Sequence, residues 1–257
     1  MTVQLLQGDC LIRMAEIPDG SVDMILADLP YGTTACKWDN VIPFEPLWKH
    51  YWRVLKPNGA VVLFGSEPFS SHLRMSQIKH YKYDWVWQKN RSSSVSLAKY
   101  QPLRFSENVS VFYRETCAYY PIKEPRTDKT GRMRYAHQHK TWRNSSENIT
   151  DLRETGYSHT EQMRYPSNIQ SFDCIPNNAK SGKYHPTQKP VALLEYLIKT
   201  YTLEGETVLD NTMGSGSTGV AAVNLKRKFI GIEQDDKYFA IAEKRIADAQ
   251  VPKELWS

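Results

Sequence analysis

Apolar residues along the chain fall into two patterns, short unbroken runs and runs at helical spacing, and the two alternate. Val22-Asp23-Met24-Ile25-Leu26-Ala27 reads as a buried strand bounded by turn signals. Ala60 to Phe64 is a continuous apolar run, as for a strand covered on both faces. Val3 to Leu6, Tyr83 to Gln88, Val109 to Tyr113, Thr207 to Asp210 and Phe229 to Glu233 complete the strand set. Helical spacing marks Phe44 to Leu55, where Leu47, Tyr51, Val54 and Leu55 share a face and Lys56-Pro57-Asn58-Gly59 is the stop. It also marks the segment after Pro190, with Leu193, Leu194, Leu197, Ile198 and Tyr201 on one side. Shorter helices are expected over Leu11 to Ile17 and Pro68 to His80, one follows a glycine-rich loop near residue 214, and the last spans Asp236 to about Ala249. Trp48, Trp52, Trp85 and Trp87 fall within these elements and read as core. Strand and helix patterns that alternate in this way describe an α/β chain.

The pattern breaks between about Glu115 and Tyr184. Hydrophobic periodicity fades there, and basic residues interleave with Tyr119, Tyr120, Tyr135, Trp142, Tyr157 and Tyr165. The division expected is therefore 1–114, an insertion over 115–184, and 185–257. The chain has 257 residues and a net charge of +5, and residues 122–143 alone carry seven basic and two acidic side chains, an excess equal to that of the whole chain. An excess confined to one segment suits a polyanionic partner. The chain start has no secretion pattern, and the four cysteines, Cys10, Cys36, Cys117 and Cys174, are scattered without a C-x-x-C pair. They read as reduced thiols of a cytoplasmic protein, with neither a zinc site nor a disulfide framework.

Two stretches carry chemistry. Asp28-Leu29-Pro30-Tyr31 ends the first buried strand, where open α/β sheets place ligands. A carboxylate accepts from an amino group, a proline fixes the carbonyl before it, and a tyrosine ring offers a stacking face. The second stretch, Asp210-Asn211-Thr212-Met213-Gly214-Ser215-Gly216-Ser217-Thr218-Gly219, puts a G-x-G-x-x-G pattern between a strand and a helix. Glu233 ends the following strand, placed to accept from ribose hydroxyls. An acid at the strand end opposes a pyrophosphate and suits a cationic amino group. On charge, S-adenosyl-L-methionine is favoured over NAD as the cofactor.

Taken together, these residues resemble the amino-methylating DNA methyltransferases of the β arrangement, in which the catalytic motif precedes the cofactor motif. Asp28-Leu29-Pro30-Tyr31 is similar to the catalytic tetrapeptide, Asp210 to Gly216 to the cofactor loop, and Glu233 to the ribose ligand. His185 to Pro190 is similar to the segment before the first helix of that family, and Gly8 to Asp23 to its opening. The likeness covers most of 1–114 and 185–257. It implies a Rossmann-like, seven-stranded, mostly parallel sheet, circularly permuted, with the insertion as target-recognition region. It implies catalytic roles for Asp28, Leu29, Pro30 and Tyr31. Cofactor contacts are implied at Asp9 and Asp28, at Thr187, Gln188 and Lys189, and around the loop at Asp210, Met213, Gly214, Ser215, Gly216, Thr218 and Glu233. Double-stranded DNA is the expected partner, met by Lys37, Trp38, Arg91 and Lys99 in loops and by Arg126, Lys129, Arg132, Arg134, Lys140 and Arg143 in the insertion. Dimerisation is left open.

One departure stands out. Leu29 occupies a place where the family usually has proline. Aspartate rather than serine at position 28 favours adenine N6 over cytosine N4 as the methylated atom. Two readings of other classes compete: a nicotinamide-dependent oxidoreductase, suggested by the glycine pattern, and an inactive nucleic-acid-binding module.

Overall fold

The computed structural model describes residues 2–33, 39–92, 95–125, 163–176, 184 and 188–251. They include ten strands: β1 (Val3–Gln7), β2 (Val22–Ala27), β3 (Leu55–Gly65), β4 (Tyr81–Gln88), β5 (Ser106–Phe112), β6 (Glu124–Pro125), β7 (Met163–Arg164), β8 (Ile169–Ser171), β9 (Thr207–Asp210) and β10 (Lys228–Glu233). The helices are α1 (Cys10–Arg13), α2 (Phe44–Val54), α3 (Phe69–Ser76), α4 (Val191–Tyr201), α5 (Ser217–Asn224) and α6 (Asp236–Gln250). Eight strands form one sheet in the order β1-β10-β9-β2-β3-β5-β4-β8. Pairing is parallel except on the two sides of β5, which runs against both β3 and β4.

The sheet is buried on both faces, which accounts for the unbroken apolar runs. Met24 and Leu26 of β2 join Val62 and Phe64 of β3 in a core completed by α4, α5 and α6 through Leu193, Leu197, Ala221 and Ile246. Ile25 and Ala27, pointing the other way, join Val61, Leu63 and Phe112 beneath α2 and α3 through Leu47, Tyr51, Val54 and Leu73. Trp48, Trp85 and Trp87 are buried as expected, while Trp52 is partly exposed at the edge of the second core.

Three details depart from the pattern-based expectation. Leu11 to Ile17 is not one helix but α1 followed by a 3-10 turn over Met14–Glu16. Strand β3 begins at Leu55, so Lys56-Pro57-Asn58-Gly59 is not a helix stop but an irregular start to the strand, where the register with β2 shifts between Val22 and Met24. Asp23 holds this start: it pairs with Lys56 at 2.6 Å and accepts from the Thr207 amide at 2.9 Å. A Cβ at Gly59 would lie 2.8 Å from the Asp23 carbonyl oxygen, so only glycine fits. The sheet also has eight strands, not seven. The eighth, β8, comes from the stretch expected to be insertion. Ile169–Ser171 pairs with β4, and the second compact unit is accordingly narrower than 115–184, covering Pro121–Ser167. Within that unit β6 and β7 pair antiparallel, with Arg164 and Glu124 3.2 Å apart.

The topology fixes where a ligand sits. From β2 the chain moves to β3 on one side, whereas β9 leads to β10 and β1 on the other. The order reverses between β2 and β9, and the crevice beyond their carboxyl ends is the place where open α/β sheets bind ligands. Asp28 directly follows β2, and Asp210 is the last residue of β9.

Candidate active site

A cavity of about 910 Å³ opens at that crevice, lined by Asp28 and Tyr31, Asp210, Gly214 and Ser215, Glu233, and Lys89 with Glu107. It lies at the upper end of ordinary small-ligand pockets. Two corners of it differ in construction.

The first corner surrounds Asp28. The Lys189 ammonium, buried just before α4, lies 2.6 Å from Asp28 Oδ2 and 2.9 Å from Glu107 Oε1. Lys89, next after β4, lies 2.5 Å from Glu107 Oε2. The Tyr31 hydroxyl donates to Asp28 Oδ1 at 2.6 Å, with Glu107 Oε1 3.1 Å away. Two carboxylates and two ammonium groups therefore close a neutral network, the arrangement in which buried charges are tolerated. Burial pushes the Asp28 carboxyl up, and Lys189 opposes it. At Glu107 burial is overcome by Lys189 and Lys89, which bring it down to about 2. At Lys189 burial is overcome by Asp28 and Glu107, so the ammonium is held charged. Burial, with Asp28 and Glu107 beside it, keeps Tyr31 protonated.

The backbone of the motif is held as well. The Thr212 hydroxyl donates to the Asp28 carbonyl at 3.1 Å, tying β2 to the loop after β9. Tyr31 stacks on Phe69 with ring centroids 4.9 Å apart. The Leu29 side chain is only 4% exposed and packs in the core under α2 and α3, so this departure from the family pattern is a packing residue.

The second corner is made by β9, the glycine loop and β10. Asp210 is buried and accepts from the Thr212 amide at 3.0 Å. Burial lifts its carboxyl to about 7, against the Thr218 hydroxyl and the Thr212 amide, with Asp28 and Glu233 adding to the rise. Glu233 Oε2 accepts from the Gly214 amide at 2.9 Å and Oε1 from the Asp235 amide at 2.8 Å. The Gln234 amide also bonds this carboxylate, which has about four acceptor directions in all and so can still accept from a ligand. Gly214 and Gly216 adopt positive φ, 52° and 78°, which lets the loop fold back over Glu233. A Cβ at Gly216 would meet Ala242 of α6 at 2.8 Å. Met213 and Ser215 are buried beside these groups.

The other expected positions fall as follows. Asp9 caps α1 by accepting from the Leu11 amide at 2.7 Å, and it also lines the cavity. Gln188 lines the cavity while its side-chain oxygen accepts from the Tyr184 amide at 2.8 Å. Lys189, expected near the cofactor, lines the same cavity and is bound to Asp28 and Glu107. Arg91 lines the cavity, and Lys99 stands on an exposed loop. Thr187, Lys37, Trp38, Arg126, Lys129, Arg132, Arg134, Lys140 and Arg143 lie outside the described residues. Cys10, Cys117 and Cys174 are free thiols. Sequence reasoning assigned no role to Glu107 or Lys89. The available signal was an acid at the start of an apolar strand and a lysine directly after another.

An open α/β sheet with an aspartate at the switch point and an acid-lined glycine loop beside it defines a nucleoside-cofactor transferase fold. The chain belongs to the DNA methylase family, whose pattern matches residues 22–244. It is 28% identical over 268 residues to the type II methyltransferase M2.LlaDCHI of Lactococcus lactis subsp. cremoris, covering 94% of this chain and 88% of the relative. Among solved structures it resembles the M1.HpyAVI–SAM complex at a TM-score of 0.62 and 23% identity, covering 95% and 100% of the two chains. It resembles the cytosine-N4-specific PvuII DNA methyltransferase at 0.65 and 17%, covering 99% and 90%. The protein is thus a DNA methyltransferase.

Proposed function

We propose that the protein transfers a methyl group from S-adenosyl-L-methionine to the N6 amino group of adenine in double-stranded DNA. The observation that carries this reading is the Asp28 carboxylate at the switch point, fixed beside the Leu29 backbone and backed by Lys189. The second corner fits the cofactor in charge and shape. Asp210 suits its ammonium and Glu233 its ribose hydroxyls, while the glycine loop leaves room for close approach. When bound, the cofactor supplies a methyl group activated by its sulfonium.

The residues of the first corner do the rest. An exocyclic amino group is engaged in base pairing, so the target base leaves the duplex to reach the cavity. The face of the Tyr31 ring away from Phe69 takes the base by stacking. Asp28 and the Leu29 carbonyl accept the two N–H bonds, which turns the nitrogen lone pair out of the ring plane and toward the methyl group. Asp28 has two oxygens and about four acceptor directions, of which Lys189 and Tyr31 occupy two. As positive charge develops on the nitrogen, the carboxylate is already in place to oppose it. Lys189 opposes the upward push of burial on that carboxyl and so favours its ionised form. No covalent bond to the protein is required, so the cysteines have no chemical role.

The test is transfer of labelled methyl to unmethylated DNA, followed by digestion to nucleosides and mass spectrometry. N6-methyladenine is the expected product. N4-methylcytosine would keep the mechanism and replace the base, an outcome favoured by the likeness to the cytosine-N4-specific PvuII enzyme. Product on RNA alone, or none, would overturn the proposal.

A further inference from the structure

The loop joining β4 to β5 is built unlike the rest of the surface. Its two ends are tied down at the cavity. The Lys89 amide donates to the Phe105 carbonyl at 2.7 Å, and the Lys89 ammonium pairs with Glu107. Arg104 donates to the Ser66 hydroxyl, and Arg91 and Arg104 both line the cavity. Between these ties the loop turns its apolar side chains outward. Val95, Leu97, Leu103 and Phe105 are 43–67% exposed, and Tyr100, at 85%, is the most exposed large hydrophobic residue among those described.

The loop is nonetheless shaped. Val95–Leu97 forms a 3-10 turn, the Tyr100 and Gln101 amides both donate to the Leu97 carbonyl at 2.9 and 3.0 Å, and Pro102 follows. An aromatic ring is thus held out in water on a backbone whose conformation is fixed. Residues 89–105 also carry Lys89, Arg91, Lys99 and Arg104 and no acidic residue. Apolar exposure within an exclusively cationic loop, at the mouth of a cavity that takes a base, calls for a partner with phosphates outside and stacked rings within.

We infer that this loop enters the duplex beside the target and that Tyr100 fills the space left by the extruded base. The inference rests on the base-extrusion reading above. Apolar side chains inserted between base steps offset the stacking lost on opening a duplex, and base–aromatic stacking does so irrespective of sequence. Lys99 and Arg91 meet the flanking phosphates, and Leu103 and Phe105 form the apolar base of the wedge. The chemistry in the cavity makes no use of Tyr100, so its contribution lies in holding the duplex open.

The experiment compares two duplexes containing the site that the wild-type protein methylates. In one the target base is paired, and in the other it faces an abasic position, where no partner has to be given up. Single-turnover methyl transfer is measured for wild type, Tyr100→Ala and Tyr100→Trp. On the paired duplex Tyr100→Ala loses on the order of ten- to a hundredfold, and on the abasic duplex it stays within about threefold of wild type, while Tyr100→Trp follows wild type on both. Thermal protection by S-adenosyl-L-methionine, unchanged in the variants, shows that they are folded. An equal loss on both duplexes, or none on either, overturns the wedge, as does a change of solution mass in Tyr100→Ala, which would assign the surface to a second copy of the chain. A wild type that methylates DNA at no site would instead remove the proposed function on which the inference rests.

Discussion

The two corners of the cavity contain acids at the ends of neighbouring strands, yet they solve the problem of burying them in opposite ways. Around Asp28 the charges are cancelled by the protein: Lys189 and Lys89 answer Asp28 and Glu107 one for one. Around Asp210 and Glu233 the carboxylates are held by backbone amides and a threonine hydroxyl, and neither has a salt-bridge partner among the described residues. On the proposed mechanism the difference separates a tool from a receptor. A group that must accept hydrogen bonds in every turnover is paired with a cation and aimed in advance. A group that receives a cationic ligand is left short of positive charge, and the ligand brings it.

The sharpest way to break this comparison is at Asp28. Asp28→Ala should lower kcat by at least about a hundredfold, the scale of losing one preorganised polar group, yet leave cofactor affinity nearly unchanged in calorimetric titration. Full activity would remove the proposed mechanism. Lys189→Met is expected next. It leaves two buried carboxylates facing one another and should destabilise the fold by about 3–5 kcal/mol in chemical denaturation. The acid limb of the kcat–pH profile should also move to higher pH, because Asp28 without its cation protonates more readily. Adding Glu107→Gln should restore much of the stability and little of the rate, which a merely structural lysine would not do. In the wild type, Glu107, held down to about 2, contributes stability that is present at neutral pH and lost as the pH falls from the ordinary carboxylate range through about 2.

The receptor corner predicts the opposite sign. Asp210 is lifted to about 7, so its contribution to stability is present in acid and lost as the pH rises through about 7. A cationic ligand reverses that penalty. Cofactor affinity, and the rise in melting temperature it produces, should therefore grow with pH through about 7 in wild type and become flat in Asp210→Asn. The smallest effect expected is for Glu233→Gln. Its amide oxygen can still accept from Gly214 or from a ribose hydroxyl, so cofactor affinity should fall only about tenfold, the cost of replacing a charged acceptor by a neutral one.

The contrast between the corners also marks what the sequence reveals. Asp28, Asp210 and Glu233 are legible because each ends an apolar run, and strand ends of this fold meet at one edge. The glycine loop is legible because its spacing and its neighbours agree. The charge network is not. Lys189 and Asp28 are 161 positions apart, and Glu107 reaches them only because β5 inserts antiparallel between β3 and β4, a choice that hydrophobic period does not encode. The start of β3 was hidden for a related reason. Lys56-Pro57-Asn58-Gly59 has the composition of a turn and is held in the strand by the distant partners of Asp23. The outer strand β8 lies in a segment whose periodicity is too weak to announce it. Leu29, which departs from the family pattern in the sequence, is a core contact in the structure.

The pairing of β1 with β10 carries a consequence for biosynthesis. Residues 3–7 lie in register with residues 229–233, so β1 waits for a strand made long after it. Until then β9 lacks its outer neighbour and Glu233 does not exist, and Asp28 has waited for Lys189, 161 positions on. A ribosome-bound chain that stops short of residue 228 holds Asp28 to Tyr31 but neither Glu233 nor the strand that joins β1 to β9. On the proposed roles, a product truncated before β10 is expected to show no methyl transfer to DNA.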